Sequence, residues 1–247
     1  MAYRVLYCIF GAVLFRAQPI TLSLPYYQVM LQRIYEYIYE HRLRSRIRKH
    51  ELPVGLTLAL TESDLLTPSG AKQLRSFVSW CADLGIGSLI AYIAVLVDGP
   101  LREDVALQII DRLERTDLIA KIYTKDDQVL RTIPIGKGRQ KVKLDISIGY
   151  GGKLELTDAI RAIMEQVGCG EIDYEDINSD MIESHLLFRH TPDLVIRAGG
   201  KHLTDFLIWQ TIYSELYFTD VNFADMRRLD FLRIIRDYQK RQRRYGR

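Results

Sequence analysis

The chain has 247 residues, 48% of them hydrophobic and 26% charged, which suits one globular α/β domain with a sizeable core. Its 34 basic and 31 acidic side chains leave a formal charge of +3, so composition gives no case for a nucleic-acid partner. Cys8, Cys81 and Cys169 stand apart, with no CxxC and no metal-ligand spacing; they read as free cytosolic thiols and exclude a disulfide framework.

The first apolar run, Val5 to Phe15, is eleven residues long. Spanning a bilayer takes about 20. Three readings stay open for it: a membrane-surface or partner-facing helix, a buried helix, or a signal core preceded only by Arg4. Residues 27–50 read as a helix with an aromatic stripe, ending in Arg42, Arg44, Arg46, Arg48 and Lys49. That basic run is either a solvated face or a surface resting on anionic lipid headgroups. Pro53 closes this section, so residues 1–50 are expected to form an N-terminal segment and 51–247 an α/β domain.

From Val54 the pattern alternates between short apolar runs and helical periodicity. Val54–Leu60 is expected to be a buried strand. Thr67-Pro68 then offers an N-cap and a proline at the first helical position, with the helix stopping at Gly85. Ser88–Val97 is a second strand, and Arg102–Arg115 a helix with Leu107, Ile110 and Leu113 on one side. Strands follow at Ala120–Tyr123 and Val142–Ile148, then a turn at Gly149–Gly152. Helices are expected over Leu156–Val167 and Asp176–Leu187, a strand over Leu194–Ile196, and a last helix over Arg227–Arg243. Such alternation predicts a central parallel sheet covered by helices, whose ligands sit beyond the carboxyl ends of the strands. The turns at Ile148–Gly152 and Arg197–Gly200 are therefore the places to look.

Arg197 follows the apolar Leu194-Val195-Ile196 and precedes Ala198-Gly199-Gly200. Glycines let backbone N–H groups approach an anion, and a guanidinium fork clamps phosphate oxygens. Taken alone, this reads first as an ordinary strand-to-loop turn with a surface arginine. Further on come Phe206-Leu207-Ile208-Trp209-Gln210, then Ser214-Glu215-Leu216-Tyr217-Phe218-Thr219-Asp220, and finally Arg244-Tyr245-Gly246. His202 is a lone loop histidine and reads as structural or solvent-facing.

The order and spacing of these segments resemble the cis-prenyltransferases, the undecaprenyl and dehydrodolichyl diphosphate synthases. Gly70-Ala71-Lys72-Gln73-Leu74-Arg75 and Gly149-Tyr150-Gly151-Gly152 extend the resemblance upstream, to about residues 30–246. It implies that fold and substrates of two kinds, isopentenyl diphosphate and an allylic diphosphate. It also implies that Arg197, Gly199, Gly200 and Thr204 bind diphosphate and that Glu215 helps to hold Mg²⁺.

Three departures qualify this. The stretch Lys201-His202-Leu203-Thr204-Asp205 is one residue shorter than the family pattern and lacks its second arginine, although Thr204 still offers a hydroxyl. The family's Asp-Gly-Asn loop after the first strand is also missing. Ala59 stands where its aspartate should be, and Ala59-Leu60-Thr61-Glu62-Ser63-Asp64 carries neither the glycines nor the arginines. Glu62 and Asp64 are loop or cap acids, or else substitutes for that aspartate. After Tyr92 the polar substrate-orienting segment is replaced by Ile93-Ala94-Val95-Leu96-Val97, up to Asp98.

Leaving-group neutralisation by a metal and cationic donors is what diphosphate departure requires. A chain without the aspartate loop therefore resembles the accessory subunits of heteromeric cis-prenyltransferases. On that reading Arg244 and Gly246 act in trans, completing the active site of a catalytic subunit in a heterodimer or heterotetramer. Mg²⁺ is expected to be held mainly by that partner, in the cytoplasm, with peripheral membrane contact. The alternatives are a self-sufficient transferase using Glu62, Asp64 or Asp98, and a non-enzymatic diphosphate- or lipid-binding scaffold.

Overall fold

The computed structural model describes residues 24–47, 50–97, 101–126, 129–136, 140–200 and 207–241. The apolar run Val5–Phe15, Arg48, Lys49, Asp98, His202, Thr204, Arg244 and Gly246 lie outside the described residues. Contacts divide the chain into two units, Met1–Arg42 and Leu43–Arg247.

Helix α1 (Leu24–Ile47) begins in the first unit, where Tyr35 and Tyr39 stack 6.2 Å apart. Its last turns belong to the second unit, with Leu43 and Ile47 only 2% and 1% exposed. No described helix is long and apolar enough to cross a membrane.

The second unit is built on a seven-stranded sheet: β1 (Gly55–Thr61), β2 (Ser88–Ala94), β3 (Ala120–Asp126), β4 (Val129–Ile135), β5 (Lys143–Ile148), β6 (Leu194–Ala198) and β7 (Glu215–Thr219). Their order is β4-β3-β5-β2-β1-β6-β7. All neighbours pair parallel except β3 and β4. A parallel sheet is covered on both faces, so its inner strands read as unbroken apolar runs. Leu56, Leu58, Leu60, Leu89, Ile93, Ile146 and Ile196 are each no more than 1% exposed.

Helix α2 (Glu62–Leu66) folds directly off the end of β1, and α3 (Gly70–Leu84) follows. Leu74, Phe77, Val78 and Cys81 recur at helical spacing and are buried. Phe77 meets Phe231 edge-on at 4.9 Å and Phe223 at 6.4 Å, fixing α3 against α7 (Arg228–Lys240). Burying a ring of this size contributes about 2–3 kcal/mol. Polar ties add direction: Arg228 Nη2 donates to Asp83 Oδ2 at 2.8 Å, and Gln239 Nε2 to Ile47 O at 3.0 Å. Burial also pushes the Cys81 thiol far above its ordinary range, which keeps it neutral and inert. The remaining helices are α4 (Leu101–Glu114), α5 (Gly152–Gly168) and α6 (Ser179–His185).

The parallel α/β expectation holds, and several local expectations change. The N-cap chemistry assigned to Thr67 acts earlier. Thr61 N–H donates to Asp64 Oδ2 at 2.8 Å, and α2 forms there, so α3 begins only at Gly70. The strand expected to reach Val97 stops at Ala94. The helix expected over Asp176–Leu187 is a 3-10 turn at Tyr174–Asp176 followed by α6, because Asn178 Oδ1 accepts from Met181 N–H and restarts the helix. Strand β4 has no counterpart among the expected elements. Only two residues separate it from β3, and that connection dictates an antiparallel hairpin. Strand β7 lies in what the sequence shows only as an aromatic-rich segment.

A buried acid ties α5 to the chain around β6. Glu155, 2% exposed, accepts from Phe188 N–H and from Gln210 Nε2, both at 2.9 Å. Burial raises its pKa above the ordinary 4.5, while these hydrogen bonds act in the opposite sense. The folded chain therefore binds this proton more tightly than the unfolded chain. Its contribution to stability is largest below about pH 4.5 and declines as pH rises through the folded value. Glu155→Gln is expected to remove this decline, so the urea midpoint should change less between pH 5 and pH 8 than in the parent. Glu155→Ala orphans both donors and should cost about 3 kcal/mol in denaturant unfolding at neutral pH.

Candidate functional site

The strand order reverses at β1, which has β2 on one side and β6 on the other. Helical connections diverge at such a point and leave a crevice beyond the carboxyl ends of the strands. Side chains in register share a face, so Ala59, Tyr92 of β2, Arg197 of β6 and Phe218 of β7 form one row across the sheet. Ser147 of β5 and Tyr123 of β3 continue it.

Arg197 crosses to β1 within this row. Its Nη1 donates to Ala59 O at 3.1 Å and lies 3.9 Å from Asp64 Oδ2. The two side chains are 13% and 16% exposed, so this charge pair is only partly screened by water. Gly199 has φ +66°, a left-handed conformation that suits glycine, and its N–H points to Thr219 O and Val221 O at 3.0 Å each. A Cβ on Gly200 would come 3.3 Å from Arg197 Nη2, so a larger residue there would crowd the guanidinium. Arg197, Gly199 and Gly200 are thus gathered at the crevice.

Glu215 is not. It opens β7 opposite Leu194, whereas Arg197 pairs with Phe218 three residues later, about 10 Å along the strand. The odd spacing also turns Glu215 to the other face of the sheet. There it accepts from Arg241 Nη1 at 3.1 Å, and that arginine also reaches Leu216 O and the face of Tyr217. Within one chain, then, Glu215 stands apart from Arg197 and on the opposite face of the sheet.

The other acids near the β1 end are also committed. Asp64 accepts from Thr61 N–H and Thr61 Oγ, and Glu62 Oε2 from Leu96 N–H at 3.3 Å. Ala59 has no donor atom to offer. No cluster of three or more His, Cys, Asp or Glu side chains suited to a metal occurs among the described residues. A hard Mg²⁺ ion needs oxygen ligands free to face it. The donor set described at this crevice does not fit one.

The turn after β5 is structurally fixed. Gly149 has φ +65°, its N–H donates to Ile93 O at 2.9 Å, and its carbonyl accepts from Arg102 Nη2. Tyr150 is 2% exposed and donates to Asp158 Oδ2 at 3.1 Å, where Lys125 Nζ also binds at 2.5 Å. Burial first, and then the Asp158 charge and hydrogen bond, hold the Tyr150 phenol well above its ordinary range. Tyr123 is pushed up to about 12 by burial and by Asp145, to which it donates at 3.3 Å. Neither phenol ionises near neutral pH, so both act as donors: Tyr150 holds the turn to α5 through Asp158, and Tyr123 ties β3 to β5 through Asp145. Sequence reasoning finds the turn but not Lys125 or Asp158, which are distant in the chain and carry no motif. The Asp64–Arg197 approach is likewise missed. Its one local signal is the Thr61-x-x-Asp64 capping spacing.

Comparison with known proteins bears on this geometry. Residues 98–246 match the family model described as "Putative undecaprenyl diphosphate synthase". The chain is 36% identical over 203 residues to the tritrans,polycis-undecaprenyl-diphosphate synthase (geranylgeranyl-diphosphate specific) of Methanocaldococcus jannaschii, covering 72% of each chain. It is 30% identical to the enzyme of the same name from Picrophilus torridus, covering 85% of this chain and 96% of that one. Among solved structures, lavandulyl diphosphate synthase from Lavandula x intermedia superposes with a TM-score of 0.65 at 21% identity, covering 79% of this chain and 99% of that one. The structure described as "a probable undecaprenyl diphosphate synthase" from Campylobacter jejuni gives 0.61 at 20% identity, covering 80% of this chain and 99% of that one. The parallel sheet, the crevice at β1 and these likenesses agree, and the chain belongs to the cis-prenyltransferase family of undecaprenyl diphosphate synthases.

Proposed function

We propose that this chain is the accessory subunit of a heteromeric cis-prenyltransferase, incompetent alone and active with a catalytic partner of the same family. The partner condenses isopentenyl diphosphate with an allylic diphosphate and holds the Mg²⁺. This chain supplies Arg244 and Gly246 to the partner's diphosphate site. The observation that supports the reading most is Ala59 at the carboxyl end of β1. The central position of the crevice carries a methyl group, and the acids around it are bound to the chain's own groups.

The energetics agree. Stabilising the charge on the leaving group usually contributes more to such chemistry than any other effect, and each ~1.4 kcal/mol lost costs tenfold in rate. The described chain ends at Arg241, which is anchored on β7. Residues 242–247 follow, and an extended stretch of that length reaches about 20 Å. That is enough to enter a neighbouring subunit docked beside it. Polyprenyl products partition into lipid, so peripheral membrane contact through the N-terminal segment is part of the same proposal, with the complex in the cytoplasm.

One observation favours a second reading, a self-sufficient transferase: the relatives above are named as synthases in their own right. Their names also make geranylgeranyl diphosphate the primer to use in the test. With that primer, isopentenyl diphosphate and Mg²⁺, the purified chain is expected to give no product above background. Mixed with a homologue that carries the aspartate loop, it should raise turnover at least tenfold over that homologue alone. Sustained elongation by the lone chain would overturn the accessory reading and select the second.

In the active mixture, Arg244→Ala is expected to lower kcat at least tenfold. Arg197→Gln should change it less than threefold, because Arg197 serves this chain's own crevice. Equal losses from the two variants would place the chemistry in this chain instead.

A further inference from the structure

Family membership assigns Arg197 to a diphosphate, yet its guanidinium is already engaged from within the chain. Nη1 takes the Ala59 carbonyl at 3.1 Å and faces the Asp64 carboxylate at 3.9 Å. Asp64 is itself held in place by independent bonds. Its Oδ2 accepts from Thr61 N–H at 2.8 Å and Thr61 Oγ at 3.0 Å, and its carbonyl accepts from Thr67 Oγ at 3.0 Å. Helix α2, which carries it, packs the 1%-exposed Leu65 into the core. The carboxylate is therefore presented to Arg197 by the fold and does not have to be recruited.

We propose that Asp64 is an internal anion that takes the place of a diphosphate beside Arg197, closing this chain's own half-site to isopentenyl diphosphate and pyrophosphate. A tethered carboxylate acts at a high effective concentration. An external diphosphate has to displace it from a pair that is mostly shielded from water, and must leave that carboxylate close by as a like charge. On the other side of the guanidinium Gly200 packs close, and a Cβ there would come 3.3 Å from Arg197 Nη2. The obstacle is electrostatic and resides in one side chain. This inference rests on the family reading of Arg197 and is independent of the accessory role.

The test uses the isolated full-length chain and sodium pyrophosphate without Mg²⁺, read by titration calorimetry and by the shift in Tm. The parent protein is expected to show no pyrophosphate binding that Arg197→Gln removes. Asp64→Asn keeps an acceptor for the Thr61 N–H while deleting the charge. It should bind pyrophosphate at least tenfold more tightly than the parent, and adding Arg197→Gln should abolish the gain. Asp64→Ser, a second capping residue without charge, should behave like Asp64→Asn and guards against a folding defect in either variant. Arg197-dependent binding by the parent overturns the proposal, and so do folded Asp64 variants that bind no better than the parent. Chain elongation is not read here, so failure of this inference and failure of the accessory reading are separate results.

Discussion

Strand β1 is the constraint on which the rest of this molecule depends. It pairs parallel on both sides and is buried on both faces, so its residues have to be apolar or internally satisfied. Because β2 and β6 leave it in opposite directions, the same strand opens a crevice at its carboxyl end. A core requirement and a site requirement therefore meet within a few residues. At Ala59 the core requirement has prevailed: the side chain is 4% exposed and apolar, and its carbonyl is taken by Arg197.

The consequences run outward from that position. Strand β1 carries no carboxylate, and the guanidinium of Arg197 takes the Ala59 carbonyl and faces Asp64. Asp64 can serve it because a one-turn helix stands where the family carries a glycine-rich loop. Such a loop would offer backbone N–H groups to phosphate. A capped turn instead directs its N–H groups and its carboxylate at each other.

How much of this is legible in the sequence differs from element to element. The buried strands β1, β2, β5 and β6 are plain because apolar runs bounded by turns have few other uses in a parallel sheet. The edge strands β4 and β7 are not. Edge strands carry polar and aromatic residues in mixed order, and β7 exposes Leu216 and Phe218 at 39% and 42%. Arg197, Gly199 and Gly200 are found together because they are adjacent in the chain and serve one turn. Glu215 is grouped with them by likeness to the family, and only the register of β6 with β7 places it on the other face, three residues away. Thr204, Arg244 and Gly246 remain assigned by resemblance.

The sequence by itself determined the class of fold, the family and the absence of a carboxylate at position 59, since each is a matter of residue type and order along the chain. Tertiary structure decided what fills the space so created. Whether an arginine faces solvent, a ligand or the chain's own aspartate depends on distances between β1, β6 and α2, and Arg197 lies 138 residues from Ala59 along the chain. No local pattern encodes those distances. They follow from a sheet register fixed by burying side chains on both faces at once, and that register brings Arg197 to Asp64.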